Sequence, residues 1–577
     1  MRAPLSSRNW VVIAAAALAC GLIAFVGIPA LRVFAHDIVL LPDSAQPVHG
    51  TQFPSKIVFA QSAATLPAYD FVEVSIHLES PHARNPFTEA SVSGFFGKAG
   101  SSDRLHVDGF CDAADGSVFR VRFMPSAPGE YAYSVTYREE GAEKTYDGTF
   151  RATDGHRRGP IRVDPRYPWH FLWEGTGEHY FFNGTTAFWL MGWRDERIIA
   201  GSLERLHRLK VNRIRTLLGG RTFTMYGEPV MNSDEFTTYL TPWPAARFDD
   251  FWHPGFDYSR FNLAHWQRYE RMLRVARDRD IVVSVIFDIG DGKIHSDPGS
   301  DDERRYFRYA AARLSAFSNI TWDLGDDLDA FRDDTWARRM GTLLEGWDPY
   351  RHLATSHPVH PEHQDRAADW FGFTSLQDWS RTQHVLMLKQ RRLQIETGRI
   401  IPQTNEEYGY EDHYPRWAPP PPGDSSEALR RMAWEIAMAG AYGTTGESAR
   451  RGTGIWPDTG GGWMNGRGDD TMTMLVGYAH LVDFFTSFEW WKTEPHDEMV
   501  NTGAYCVAEP GRTYAAYLPN GGTVAIKLEQ GRYRGEWFNP STGAILPIGQ
   551  IAATASWTSP KAPDGSDWAL LLLRNPT

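Results

Sequence analysis

The sequence predicts a multidomain fold, a (β/α)8 TIM barrel flanked by an N-terminal Ig-like β-sandwich and a C-terminal β-sandwich. Three observations carry this reading. At 577 residues the chain is too long for one ordinary core. Its two ends read as short alternating strands. The 320 or so residues between them, roughly, read as strand and helix in turn, about eight times.

Before the first domain, Arg2 and Arg8 precede an uncharged stretch over residues 10–31. That length spans a bilayer as a helix. Val33-Phe34-Ala35 is a small-residue cleavage site. Residues 1–35 are therefore expected to be a signal peptide or a membrane anchor. The basic residues place the body outside the cytoplasm, either anchored or secreted.

Residues 48–157 form the first sandwich. Stretches 71–77, 118–124 and 130–137 alternate apolar and polar, with Ser126-Ala-Pro-Gly129 as punctuation. Residues 158–488 form the barrel. Strands are expected near 180–190, 211–218, 281–288, 319–324, 352–358, 369–375, 400–405 and 442–446. Helices are expected over 198–210, 262–279, 303–317, 336–347, 384–398 and 425–441. Residues 489–577 return to short strands. Here 514–526 reads as a hairpin about Asn520-Gly521, and 568–573 closes the chain.

Net charge is −12 without long basic runs, which argues against a nucleic-acid partner. Cys111 and Cys506 fall in different domains, so no disulfide framework is indicated. Cys/His spacing suggests no metal site, and no cofactor is expected. The 22 Trp and 23 Tyr suit sandwich cores and also clefts where flat sugar faces stack on rings.

Two acidic segments carry the chemistry. Asn319-Ile-Thr-Trp-Asp-Leu-Gly-Asp-Asp-Leu328 ends the fourth strand, and Arg399-Ile-Ile-Pro-Gln-Thr-Asn-Glu-Glu-Tyr408 ends the seventh. C-terminal strand ends converge on the active site of such a barrel. A pair of carboxylates there is what glycosidic cleavage needs, one to protonate the leaving oxygen and one to attack the sugar or activate water. Other strand-end residues are candidate sugar contacts. Arg215 ends strand two, Asp288 strand three, His357 strand five and Gln377 strand six, while Trp189, Trp379 and Trp456 offer stacking faces. Internal ion pairs and core packing account for any one of them equally well.

Beyond these features, the chain resembles the apiosidase-like glycoside hydrolases, with their DUF5060-type N-terminal domain, DUF4038-type barrel and collagen-binding-type C-terminal sandwich. The resemblance rests on Asn85-Pro-Phe-Thr, Gly109-Phe-Cys-Asp, Tyr309-Ala-Ala-Ala-Arg-Leu, the two acidic segments, Asp348-Pro-Tyr-Arg-His-Leu-Ala-Thr-Ser-His, Tyr517-Leu-Pro-Asn-Gly-Gly and Trp537-Phe-Asn-Pro-Ser-Thr-Gly. It implies a retaining hydrolase acting on a poly- or oligosaccharide. It maps the acid/base to Asp327 and the nucleophile to Glu407, with Tyr410 and Glu411 beyond. Asp326 and Glu406 stand where the family has, or often has, Gly. Strand alternation points them away from the cleft, so they are expected to be supporting or solvated. The rival reading is a non-catalytic carbohydrate- or matrix-binding protein on a decayed barrel. Sugar, linkage, exo or endo action and oligomeric state are not legible.

Overall fold

The computed structural model describes residues 39–40, 56–221, 224–225, 228–229, 234–250, 252–290, 295–411, 425–448, 462–501 and 503–575. The expected leader, residues 1–35, lies outside them. Among the described residues no helix is long and apolar enough to cross a membrane.

The N-terminal domain is two five-stranded sheets packed face to face. Its 11-residue strand Gly129–Glu139 buries alternate residues, among them Tyr131, Tyr133, Val135 and Tyr137. These meet Val74, Ile76, Phe119 and Val121 from the facing sheet, as the two-residue period of a half-buried strand requires. The domain is fastened to the barrel's outer helices. Arg122 donates to Glu270 at 2.7 and 3.0 Å, and Arg313 donates to Asp112 at 2.8 Å.

Eight parallel strands form the barrel: β1 (Gly184–Thr186), β2 (Arg213–Leu217), β3 (Val282–Ile286), β4 (Ile320–Asp326), β5 (Ala354–His357), β6 (Leu376–Gln377), β7 (Thr404–Glu407) and β8 (Tyr442–Thr445). They pair in the order β5-β4-β3-β2-β1-β8-β7-β6. Between β5 and β6 the ring is closed by irregular backbone, with Gly372 N donating to Ala354 O at 2.7 Å. The sixth strand expected at 369–375 is thus mostly this irregular seam. Six outer helices follow, α1 (Glu196–Arg208), α2 (Leu263–Arg277), α3 (Asp301–Leu314), α4 (Asp334–Trp347), α5 (Gln383–Glu396) and α6 (Ser426–Met438), each within three residues of its expected ends. Ser300 caps α3, accepting from Glu303 N at 3.1 Å while Glu303 accepts from Gly299 N at 2.6 Å, a capping-box arrangement shifted by one donor. A further helix, α7 (Met474–Phe485), leads to the last domain.

The last domain has a six-stranded and a two-stranded sheet. The hairpin expected about Asn520-Gly521 does not form. Strand Thr513–Leu518 is already paired on both sides, with Tyr505–Glu509 and Trp568–Arg574, so no edge is free for residues 525–527. Those residues cross to the small sheet and pair with Ser556–Thr558, through left-handed glycines 521 and 522. Trp490 is buried against Phe181, ring centroids 5.5 Å apart, and Trp491 stacks on His179 at 3.8 Å.

Candidate active site

The barrel interior is polar in its upper layers. Arg213 and Arg215 lie two apart on β2, so both side chains point inward. Both are fully buried. Arg213 donates to Glu406 at 2.6 and 3.1 Å and to Thr321 at 2.8 Å. Ser375 also donates to Glu406, at 3.0 Å. Burial works against the Glu406 charge, but the Arg213 guanidinium holds its carboxyl below the usual range. Glu406 is therefore a buried anchor of the barrel and not a solvated residue.

One layer higher, Arg215 hydrogen-bonds Asp326, donates to the Glu406 carbonyl at 3.2 Å and stands 3.6 Å from Glu407 Oε2. His357 Nε2 lies 3.6 Å from both Asp326 Oδ1 and Glu407 Oε2. Gln377 donates to Glu407 Oε1 at 3.3 Å. Thus Glu407, Arg215, His357 and Gln377, all singled out in the sequence, converge at the C-terminal mouth of the barrel. Burial pushes His357 down to about 3, so the imidazole is neutral at any working pH. Burial likewise raises the Asp326 carboxyl, against the pull of Arg215.

The β4 aspartates sit differently from the alternation expected. Asp326 faces Glu407, because the β4–β5 register shifts between Asp323 and Asp326. Such an irregularity re-aims the side chains that follow it. Asp327 comes next, in a left-handed turn at φ 52°, half-buried and beyond the strand. Below them Asp323 is fully buried, and burial pushes it up to about 8.

The remaining candidates are spread around this centre. Asp288 is buried with its carboxylate 3.5 Å from His295, while its carbonyl accepts from Asp326 N at 2.9 Å. Tyr410 stacks on Trp463 at 4.6 Å, and half-buried Trp379 meets Tyr410 edge-on at 5.6 Å. Trp189 is buried and meets Phe188 edge-on, ring centroids 5.8 Å apart. Trp456 lies outside the described residues. The sequence reading missed Arg213, Asp323 and Trp463. The Arg213-x-Arg215 spacing inside an otherwise apolar strand was the available signal for the first.

Among the described residues, two groups of side chains bring three possible metal-ligand atoms within 4.8 Å of one another, Asp326/His357/Glu407 and Asp329/His360/His363. The first already holds the Arg215 cation, which disfavours a dication there. A cavity of about 580 Å³ between the first sandwich and α3 is remote from this centre.

Comparison with known proteins agrees with this arrangement. Residues 170–448 match the model of the apiosidase-like catalytic domain, residues 65–138 that of DUF5060, and residues 496–573 that of a "Putative collagen-binding domain of a collagenase". No curated protein matches. A "putative glycoside hydrolase" from Bacteroides vulgatus ATCC 8482 superposes with a TM-score of 0.74 at 19% identity, over 89% of this chain and 100% of that one. A glycoside hydrolase family 5 protein from the same organism gives 0.56 at 16% identity, over 72% and 94%. At such identities these structures speak for the fold alone.

Proposed function

We propose that the barrel, whose residues 170–448 match the apiosidase-like catalytic domain, cleaves glycosidic bonds of a poly- or oligosaccharide with retention, Glu407 acting as nucleophile and Asp327 as acid/base. The observation that carries the reading is Glu407 itself. It ends β7 with Arg215, His357 and Gln377 around one carboxylate, a cation and hydrogen-bonding groups that aim a nucleophile. Asp327 is the more accessible strand-four carboxyl, where a leaving group and water arrive. Asp326 is committed to Arg215 and accepts a hydrogen bond. Retention is the family expectation for a barrel of this kind, with carboxyls roughly 5–5.5 Å apart against roughly 6.5–9.5 Å for inverting enzymes. Asp326, next to Asp327, brings an oxygen within 4.8 Å of Glu407.

That same closeness favours a second reading in which Asp326 is the proton donor. Azide rescue separates the two. On an aryl glycoside with a good leaving group, the true acid/base variant keeps glycosylation and regains turnover with azide. Rescue of Asp327→Asn alone supports the first reading, and rescue of Asp326→Asn alone the second. Glu407→Gln should abolish turnover while sparing binding. An NMR time course showing the inverted anomer first would refute retention. Wild-type protein that binds glycans and cleaves none across pectic, hemicellulosic and bacterial panels would favour the binding-protein rival. We also place the enzyme outside the cytoplasm, on the basic and then uncharged N-terminal sequence; cell fractionation tests this.

A further inference from the structure

At the rim of the barrel mouth, the loops after β4 and β5 are joined by a group of side chains that the hydrolytic reading does not use. Asp329 stands in the one-turn helix after Asp327. Its carboxylate accepts from Val359 N at 2.6 Å and from His360 N at 3.3 Å, and lies 2.6 Å from His360 Nδ1. His363 is three residues on, in the turn Pro361–His363, with Nδ1 2.9 Å from Asp334 Oδ1. The two rings lie 6.2 Å apart, nearly perpendicular. One donor atom each from Asp329, His360 and His363 falls within a 4.8 Å span.

We propose that Asp329, His360 and His363 bind one divalent ion of the zinc class, which ties the β4 and β5 loops together beside the active site. Two imidazoles and a carboxylate suit zinc, copper or nickel better than the oxygen-seeking calcium and magnesium. Three protein donors leave one of the usual four positions around zinc to water, and Asp334 orients the His363 ring through Nδ1. The site is preorganised. Two backbone amides already hold Asp329, and Pro358 and Pro361 stiffen the segment that carries His360. Among the described residues no arginine or lysine is hydrogen-bonded to the group, unlike the Asp326/His357/Glu407 centre. The sequence hid the site because its carboxylate comes from another strand's loop, so His360-x-x-His363 has no partner of diagnostic spacing.

The test is calorimetric titration of the metal-stripped full chain with zinc chloride. The expected result is one zinc per chain, not displaced by excess calcium or magnesium. His360→Ala and His363→Ala should each weaken binding by about 100-fold or more, since even outer partners of a metal ligand cost about 10- to 100-fold. Both side chains are partly exposed, so the variants should fold, and unchanged metal-free melting curves check this. Glu407→Gln should leave the affinity unchanged. No zinc uptake by wild type, unchanged uptake in the His360→Ala/His363→Ala double variant, or loss of uptake in Glu407→Gln would each overturn the proposal.

Discussion

Replacing Arg215 by Met probes the centre of the site most directly. Arg215 is fully buried and is the cation shared by Asp326, Glu407 and the Glu406 carbonyl. At 3.6 Å from Glu407 Oε2, with an effective dielectric of about 20, its attraction for that carboxylate is about 4–5 kcal/mol. Lost desolvation cost returns part of this, so the net effect is smaller. Two consequences follow. Asp326 and Glu407 are left as neighbouring carboxylates without a shared cation, so one holds its proton to higher pH. The acid limb of the kcat/KM profile should then move up by at least about one unit. Stability should fall by about 3–5 kcal/mol, the usual penalty for stranding one side of a buried ion pair. Arg215→Lys should restore part of both. The assay is a pH series of kcat/KM on an aryl glycoside, beside a denaturant melt. An acid limb that stays in place, with kcat/KM within about tenfold of wild type, would refute the idea that Arg215 keeps the nucleophile ionised.

Three further outcomes are expected. Asp323, pushed up to about 8 by burial, binds its proton more tightly in the native state, so its contribution is full below the unfolded value of about 3.9 and is lost as pH rises toward 8. Asp323→Asn should therefore gain on wild type across that window by on the order of 1.4 kcal/mol per pH unit; parallel melting curves from pH 4 to 8 would count against it. Trp379→Ala should raise KM by about 3- to 10-fold with little change in kcat, as loss of one stacking face predicts, and a pure kcat defect would contradict that role. Arg430→Met should cost up to about 3 kcal/mol, because it takes from buried Asp567 its hydrogen-bonded cation at 2.9 Å and leaves it Tyr517 at 3.0 Å and Arg431 at 3.9 Å; a melting temperature equal to wild type would show that this pair does not hold the last domain.

The barrel was legible because its signals are local. Five of the six outer helices bury an apolar stripe and most have a cap, while α5 buries mainly Gln383, His384, Gln390 and Gln394; among the strands β3 is a short apolar run, but β7 is polar throughout. The site was legible in outline for a related reason. Residues at C-terminal strand ends must converge, so His357 and Gln377 could be named from strand boundaries, whereas Glu407 was singled out from Glu406 by the family resemblance and Arg215, expected at a strand end, lies in the middle of β2. The register could not. Which of Asp326 and Asp327 faces Glu407 depends on an irregularity between β4 and β5, and alternation along one strand carries no information about its partner. The hairpin at Asn520-Gly521 failed the same way. The turn residues are correct, but which strand is free to pair is settled by Trp568–Arg574, fifty residues on.

The flanking sandwiches follow from the same physics. Each has its own core, yet Val507, Tyr517, Phe538 and Leu571 of the last domain belong to the apolar cluster that runs through the barrel. Trp434 of α6 stacks on Tyr517 at 5.3 Å, and Arg430 of the same helix pairs with Asp567. A domain that shares its apolar face in this way exposes that face when cut free. Residues 490–577 expressed alone should therefore be poorly soluble and unstable, which fits a sandwich that supports the barrel and not a tethered module. A soluble fragment with a cooperative melt, binding glycan or collagen by itself, would overturn this, since it would show that the face shared with α6 is dispensable to the domain's fold.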